Sequence, residues 1–462
     1  MSTTQTATAD ARQDARATAG APEQPSAGPA DGAPGAGRSA RAGRPTPLRR
    51  NLRFQTLWVG TTASTLGVSV ADVAYPLAIL AITRSPAMAG LFAAVQAAGM
   101  LLAGLPAGSL SDRYDLRTIV IATEAARATV TAAVVVALIT GWLSLPVLLA
   151  AAALLGMGQA VKGAASMLLL RSVVPPEQLT QALTQDEVRL NGAALAGPAI
   201  GGALYGIQAL SHALPFLVTA AGFLIALAGA ALMRIMPGGT DDATRAEPTG
   251  RPRSGPSVAE TGGMLAGIRT LWGQPVLRAA TLLIMFVNTI GAGLELVIIV
   301  ILRHQAVSSP AIGLALGLGA AGGLAGAPLV KVLHRLRPGV LMLALCTLDV
   351  LVLALLAVPF GPWWVAGLLF TIMLGVPAIR VLADILVIRQ APPEQRGRTV
   401  AALMTLIGLG IPAGLAGCGL LLQFLPAQVA MLILAGTEAI GVAYGATRRE
   451  LRRAEWPAEP AA

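Results

Sequence analysis

The 462-residue chain is 55% hydrophobic and only 12% charged, about half the charged share of a soluble domain, which excludes an ordinary water-soluble globule. Its formal charge of +10 does not signal nucleic acid, because the basic residues sit in the tails and in short loops, with no aromatic interleaving and no nucleic-acid module. Lys162 and Lys331 are the only lysines, followed by Gly163 and Val332, so the Gly-x4-Gly-Lys-Ser/Thr phosphate cradle is excluded as well.

Residues 1–50 are rich in Ala, Gly, Pro, Ser and Thr and cannot bury a core, so a disordered cytoplasmic tail is expected there. The tail carries no apolar h-region, so the first membrane helix is expected to serve as the insertion signal. Runs of about 20 apolar residues span the bilayer hydrocarbon, and such runs predict helices at 54–83, 86–110, 118–140, 145–172, 182–207, 213–235, 279–302, 309–333, 339–359, 363–388, 399–424 and 427–446. The expected fold is an all-α integral membrane protein of twelve transmembrane helices in two six-helix pseudo-repeats. Its predicted bundles cover 51–235 and 264–447, joined by a cytoplasmic linker at 236–263 and followed by a cytoplasmic tail at 448–462. Within the second bundle, 264–278 reads as a short amphipathic helix at the membrane surface.

Arginines set the predicted topology. The N-tail, Arg113, Arg117, Arg171, the linker, Lys331, Arg335, Arg337, Arg389, Arg396, Arg398 and the Arg448–Arg453 cluster all fall on one side, and the other side has little beyond Arg84 and Arg303. Both termini are therefore expected in the cytoplasm of a bacterial cell, in a multi-pass protein of its plasma membrane. Trp142, Trp363 and Trp364 fall at the opposite turns, where indoles favour the interface.

Three marks repeat at nearly one offset. Pro175-Pro176-Glu177-Gln178 recurs as Pro392-Pro393-Glu394-Gln395, Pro198 pairs with Pro412, and Gly108 with Gly326. A six-plus-six duplication accounts for all three.

Ionisable residues at mid-membrane are costly and usually face the bundle interior. Asp72 lies deep in the first helix with no cation near it in sequence. A proton-carrying carboxyl is the functional expectation; a structural hydrogen bond or contact with water near the outer end is the alternative. Lys162 needs a carboxylate, with Asp72 and Glu124 as candidates, or else an anionic substrate group. Glu124 and Arg127 are i, i+3 partners, fit for a structural or gating network. Asp186, Glu187 and Arg189 are expected at a solvated helix end, and Arg380 with Asp384 as mutual i, i+4 partners. Glu295 is the second-half cavity candidate, because Asn288 lies seven residues earlier on the same face. Asp349 stands alone, and Glu438 has no evident partner.

Small residues at four-residue spacing, Gly104-x3-Gly108 and Gly197-x3-Gly201, let helix backbones approach closely. Helix eight has Gly313, Gly317, Gly319, Gly323 and Gly326. Such faces serve either tight packing or sliding during alternating access. Pro198 permits a bend.

The loop Gly108-Ser-Leu-Ser-Asp112-Arg113-Tyr-Asp-Leu-Arg117 resembles the Gly-x-Leu-x-Asp-Arg-x-Gly/Asp-Arg-Arg/Lys signature of the major facilitator superfamily, with Leu116 in place of one basic residue. Gly197-Pro198-Ala-Ile-Gly201-Gly202 is similar to the Gly-Pro-x-x-Gly-Gly motif of that family's antiporters, with Ala193 where the full motif has Gly. With Glu124-x-x-Arg127 and Pro175-Pro176-Glu177, the chain over about 50–447 resembles the drug/proton antiporter branch that includes macrolide-efflux and enterobactin-exporter proteins. The resemblance implies that Asp112 caps or pairs with a helix of the other half and holds the outward-facing state. It further implies export of small amphipathic molecules in exchange for protons, and an apolar cavity carrying a few charges between the bundles. The expected site residues are Asp72, Lys162 and Glu295 for coupling and cargo. Gly108, Asp112, Arg113, Arg117, Glu124, Arg127, Gly197, Pro198, Gly201 and Gly202 are expected to gate. Proton-coupled or facilitated uptake remains an alternative, as does a non-transporting membrane sensor or scaffold. No cofactor, metal or nucleic acid is expected: His212, His304 and His334 are scattered, and Cys346 and Cys418 lie inside apolar segments. No catalytic constellation can be assembled from these residues. The expected partners are the lipid bilayer, a small-molecule substrate and protons, with the protein a monomer.

Overall fold

Apolar runs bounded by caps and prolines produce thirteen helices of two turns or more among the described residues. They are α1 (Leu52–Thr83), α2 (Pro86–Arg113), α3 (Leu116–Ile139), α4 (Leu145–Val173), α5 (Leu179–Gly206), α6 (Leu214–Leu232), α7 (Thr261–Gly273), α8 (Pro275–His304), α9 (Ser309–Leu333), α10 (Pro338–Leu356), α11 (Pro362–Gln390), α12 (Arg396–Phe424) and α13 (Ala427–Thr447), with a last turn, α14 (Arg449–Arg452). This computed structural model describes residues 48–207, 212–233, 261–333, 337–358, 360–390 and 396–452. The predicted tail before Leu48, the linker as far as residue 260, Arg335, the Pro392–Gln395 loop and residues 453–462 lie outside the described residues. So do the side chains of Lys331, Asp384, Arg389, Arg396 and Arg398.

Helix starts follow local chemistry. The Asn51 side chain accepts from Phe54 N–H, Ser85 from Met88 N–H and Asp115 from Thr118 N–H, each satisfying one of the donors a helix start leaves free. Prolines open α2, α4, α6, α8 and α10, where the missing N–H costs nothing. Two expectations are revised here. Residues 264–278 do not form one amphipathic helix, because Pro275 opens a new helix: α7 ends at Gly273 and the apolar α8 begins at Pro275. Residues 48–50, assigned to the tail, form a 3-10 turn with Leu48 buried.

Eleven helices among the described residues are long and apolar enough to cross a membrane. The twelfth long helix, α5, misses that criterion although it has 28 residues, because Asp186, Glu187, Arg189 and Asn191 crowd its first half.

Helix partnerships repeat. α1 packs on α5 and α6, α2 on α4, and α3 on α4 and α6; α8 packs on α12 and α13, α9 on α11, and α10 on α11 and α13. Every pairing of α1–α6 recurs seven elements later. The two sets meet along α5–α9 and α2–α12, and these seams exchange under the same relabelling, as a pseudo-two-fold axis requires.

Both seams tighten toward one end of the molecule. A Cβ added to Gly90 of α2 would stand 2.7 Å from the Gly419 Cα of α12, and one added to Gly202 of α5 would stand 2.9 Å from the Gly313 Cα of α9. Ser85 Oγ donates to Gln423 Oε1 at 2.6 Å across the same end. Toward the other end the same sides are bare: Gly104 and Gly108 of α2, on the side of Gly90, have no atom within 4 Å of an added Cβ, and Val188 of α5, on the side of Gly202, is 62% exposed.

Candidate functional site

A string of charges runs through the first set of helices. α3 turns Glu124 and Arg127 inward on one face, and Arg127 Nη1 donates to Glu124 Oε2 at 3.2 Å and to Ser64 Oγ of α1 at 3.3 Å. The guanidinium lies 4.1 Å from the centroid of the Phe223 ring of α6, a cation–π contact. Lys162 Nζ of α4 sits 3.7 Å from Glu124 Oε1. Glu124 is 0% exposed, Arg127 2% and Lys162 6%. One carboxylate thus holds two cations in an apolar bundle, where an uncompensated charge is strongly unfavourable. Of the two partners expected for Lys162, the structure selects Glu124.

Arg127 also acts on the charge of Asp72. Asp72 is exposed on α1; with Tyr75, Gln96, Arg127, Thr131 and Gln159, and the apolar Val68, Leu155 and Phe223, it lines a small cleft. The Arg127 Nε and Gln159 Oε1 atoms there are buried without a hydrogen-bond partner, so the cleft suits water. From the other set, half-buried Glu295 of α8 feels the charge of Asp72, and α1 touches α8. The two acids thus come from touching helices of opposite sets, although Glu295 is not among the residues that line the cleft. Asn288 does not join them: its Nδ2 donates to Ile284 O of its own helix at 2.9 Å.

Asp186 and Arg189 correct a further expectation. They do not form a freely solvated end. Arg189 donates to Asp186 Oδ1 at 2.7 Å, to Thr61 O at 3.0 Å and to Thr65 Oγ1, which docks the polar half of α5 on α1. Both charges reach Lys162, so the string continues into α5.

The loop motif divides by residue. Arg117 donates from Nε to Ala230 O at 2.7 Å and from Nη2 to Ala231 O at 2.9 Å, binding carbonyls that the end of α6 leaves free. Asp112 and Arg113 are exposed, and Asp112 makes no ion pair or hydrogen bond among the described residues. Gly104 and Gly108, expected to bring helices close, have no atom within 4 Å of an added Cβ; their face of α2 is uncovered here. The second motif is the reverse. Gly197 and Gly201 press on Ser69 and Val70 of α1, Gly202 presses on α9, and the Pro198 carbonyl faces Gly313. The motif is wedged between α1 and α9, with no room for a Cβ on either side. Its twin in the other set, Gly410 and Gly414 of α12, meets Thr289 of α8.

Sequence reasoning missed Ser64, Tyr75, Gln96, Gln159 and Phe223. Gln159, one turn before Lys162 in an apolar segment, carried a readable signal; Phe223 carried none. Arg380 is exposed, and its expected partner side chain, Asp384, is outside the described residues.

Comparisons agree with this architecture. Residues 57–415 match the Major Facilitator Superfamily. The chain is 27% identical over 420 residues to the enterobactin exporter EntS of Salmonella typhi, covering 88% of this chain and 94% of that protein, with the same figures for EntS of Salmonella typhimurium. Among solved structures it superposes on a bacterial homolog of the human lysosomal transporter Spinster in an inward-facing, unoccupied conformation (TM-score 0.66, 18% identity, 89% of this chain and 100% of that one). It also superposes on an inward-facing bacterial homologue of the iron transporter ferroportin (0.65, 16%, 87% and 99%) and on the nucleoside transporter NupG (0.67, 12%, 86% and 98%).

Proposed function

The chain belongs to the major facilitator superfamily, and from that premise we propose that it exports small amphipathic molecules in exchange for protons by alternating access. The moving bodies are the bundles at 51–235 and 264–447, and cargo binds near mid-membrane between them. The observation that carries the reading is one costly carboxyl in each bundle on touching helices: Asp72 of α1, lining the cleft with Arg127, and Glu295 of α8. Mid-membrane carboxyls are expensive, and a carrier that must take up and release protons has a use for them. Arg127, fixed by Glu124 and Phe223, lies beside Asp72 and competes with a proton for it.

With the arginine-rich loops in the cytoplasm, the tight ends of both seams face outward and the bare surfaces face inward. This is the inward-facing state. Asp112 finds its partner in the opposite state, when the inner ends close. The exporter relationship supports the outward direction and makes enterobactin the first cargo to test.

The test is counterflow and proton flux in proteoliposomes with the pH gradient set in either direction. Asp72→Asn and Glu295→Gln are expected to abolish gradient-driven export while leaving membrane abundance unchanged. Proton-coupled export at the normal rate by both variants would overturn the coupling role. Cargo movement only down its own gradient, whatever the pH difference, would favour facilitated uptake.

A further inference from the structure

The second bundle buries two acids that the transport pathway does not use. Asp349 of α10 is 5% exposed and Glu438 of α13 is 2% exposed. The helices pack on each other, and Gly445 near the end of α13 lies against Leu343 near the start of α10, so they run antiparallel. Eleven residues into α10 and nine residues before the end of α13, the two acids stand at matching depths of roughly 16 and 14 Å along the helix axes. Asp349 acts on the charge of Glu438, and both act on the fully buried Cys346 thiol. Glu438 Oε1 has no hydrogen-bond partner.

No described cation compensates them. α10 and α13 also pack on α8, α11, α12 and α14. The described charged groups on those elements are Arg278, Glu295, Arg303 and His304 of α8, Arg380 of α11, and Arg449, Glu450 and Arg452 of α14, with Arg448 and Tyr444 at the end of α13. Among the described residues no ion pair joins any of them to either acid, and the Cys346 thiol lies one turn from Asp349. Asp384 and Arg389 of α11 and Arg396 and Arg398 of α12 have side chains outside the described residues. All but Asp384 belong to the last or first turn of their helix. The equivalent seam of the first bundle, α3 on α6, contains Arg127 over Phe223; the second bundle has no such cation there.

Two adjacent carboxylates cannot both remain ionised in an apolar interior without a cation. We propose that Asp349 and Glu438 form a proton-holding acid pair, off the transport pathway, in the seam between α10 and α13. One carboxyl keeps its proton, so that the seam holds at most one negative charge, and the pair titrates as a unit. The ligand is the proton alone. The site is independent of the coupling acids Asp72 and Glu295.

The test compares the purified transporter with the Asp349→Asn/Glu438→Gln variant, whose amides keep the shape. Infrared spectra at neutral pH should show a protonated-carboxyl carbonyl band in the parent that is lost in the variant. The melting temperature of the parent should fall from mildly acid to mildly alkaline pH, as the held proton is drawn off, and the variant should lack that fall. A band unchanged by the substitutions, or identical pH profiles of melting, would overturn the proposal. Should the double variant fail to accumulate, Glu438→Gln alone leaves Asp349 a neutral partner and should melt above the parent at alkaline pH; melting at or below it at every pH would overturn the proposal equally.

Discussion

At the scale of single residues, Glu124 matters more than any one of its partners. It is the shared counter-charge of Arg127 and Lys162. Removing it leaves two buried cations facing each other, whereas removing Lys162 leaves Glu124 still bonded to Arg127. Breaking a buried pair by deleting one side costs about 3–5 kcal/mol. Glu124→Ala should therefore lower the melting temperature of the purified protein markedly and Lys162→Met much less. Equal losses would mean that Glu124 is not the hub. The pairing was partly legible in the sequence. A lysine inside an apolar segment demands an acid, and Glu124 was one of two candidates, but depth along separate helices could not choose between them. That Asp349 and Glu438 stand at one level of the α10–α13 seam was not legible, because two lone acids 89 positions apart carry no local pattern and are brought level only by the packing of their helices.

At the scale of elements, glycines decide which seams can close. The sequence predicted close approach for both Gly104-x3-Gly108 and Gly197-x3-Gly201, and only the second is in contact. Spacing marks a face as smooth; it cannot say what lies opposite, or in which conformation. The α5–α9 seam has no slack, since Gly202 and Gly313 meet backbone to backbone. Gly313→Val should force the seam apart. Overpacking costs typically about 1–3 kcal/mol, which would shift the balance between states by about 5- to 150-fold. Maleimide labelling of a cysteine at Ser309, buried in the parent, should rise and transport should fall. Unchanged labelling would show that the seam is not a gate. Helix number and limits were readable to within a few residues because apolar length, prolines and caps are local signals. The break at Pro275 was misplaced, since the apolar pattern runs on through it.

At the scale of the whole molecule, the repeated helix partnerships give two bundles with matched seams, tight toward one end and bare toward the other. The duplication was readable from three marks near one offset; the state was not, because both conformations satisfy the same pattern. On the alternating-access proposal, Asp112, exposed here, belongs to the end that closes in the other state. Asp112→Asn should slow transport while leaving cargo binding and membrane abundance unchanged, as read by equilibrium binding alongside proteoliposome flux. Full transport rates would remove Asp112 from gating.

The string of Asp72, Arg127, Glu124 and Lys162 has a consequence for electrical behaviour. With Asp72 ionised its charges cancel, so the first bundle can reorient with little work against the transmembrane field. A proton on Asp72 leaves one positive charge uncompensated, and each such charge is worth about 2.3 kcal/mol per 100 mV if it crosses the whole field. If Asp72 carries the coupling proton as proposed, the loaded and empty carriers experience the cell's voltage differently, and a negative interior draws the protonated form inward.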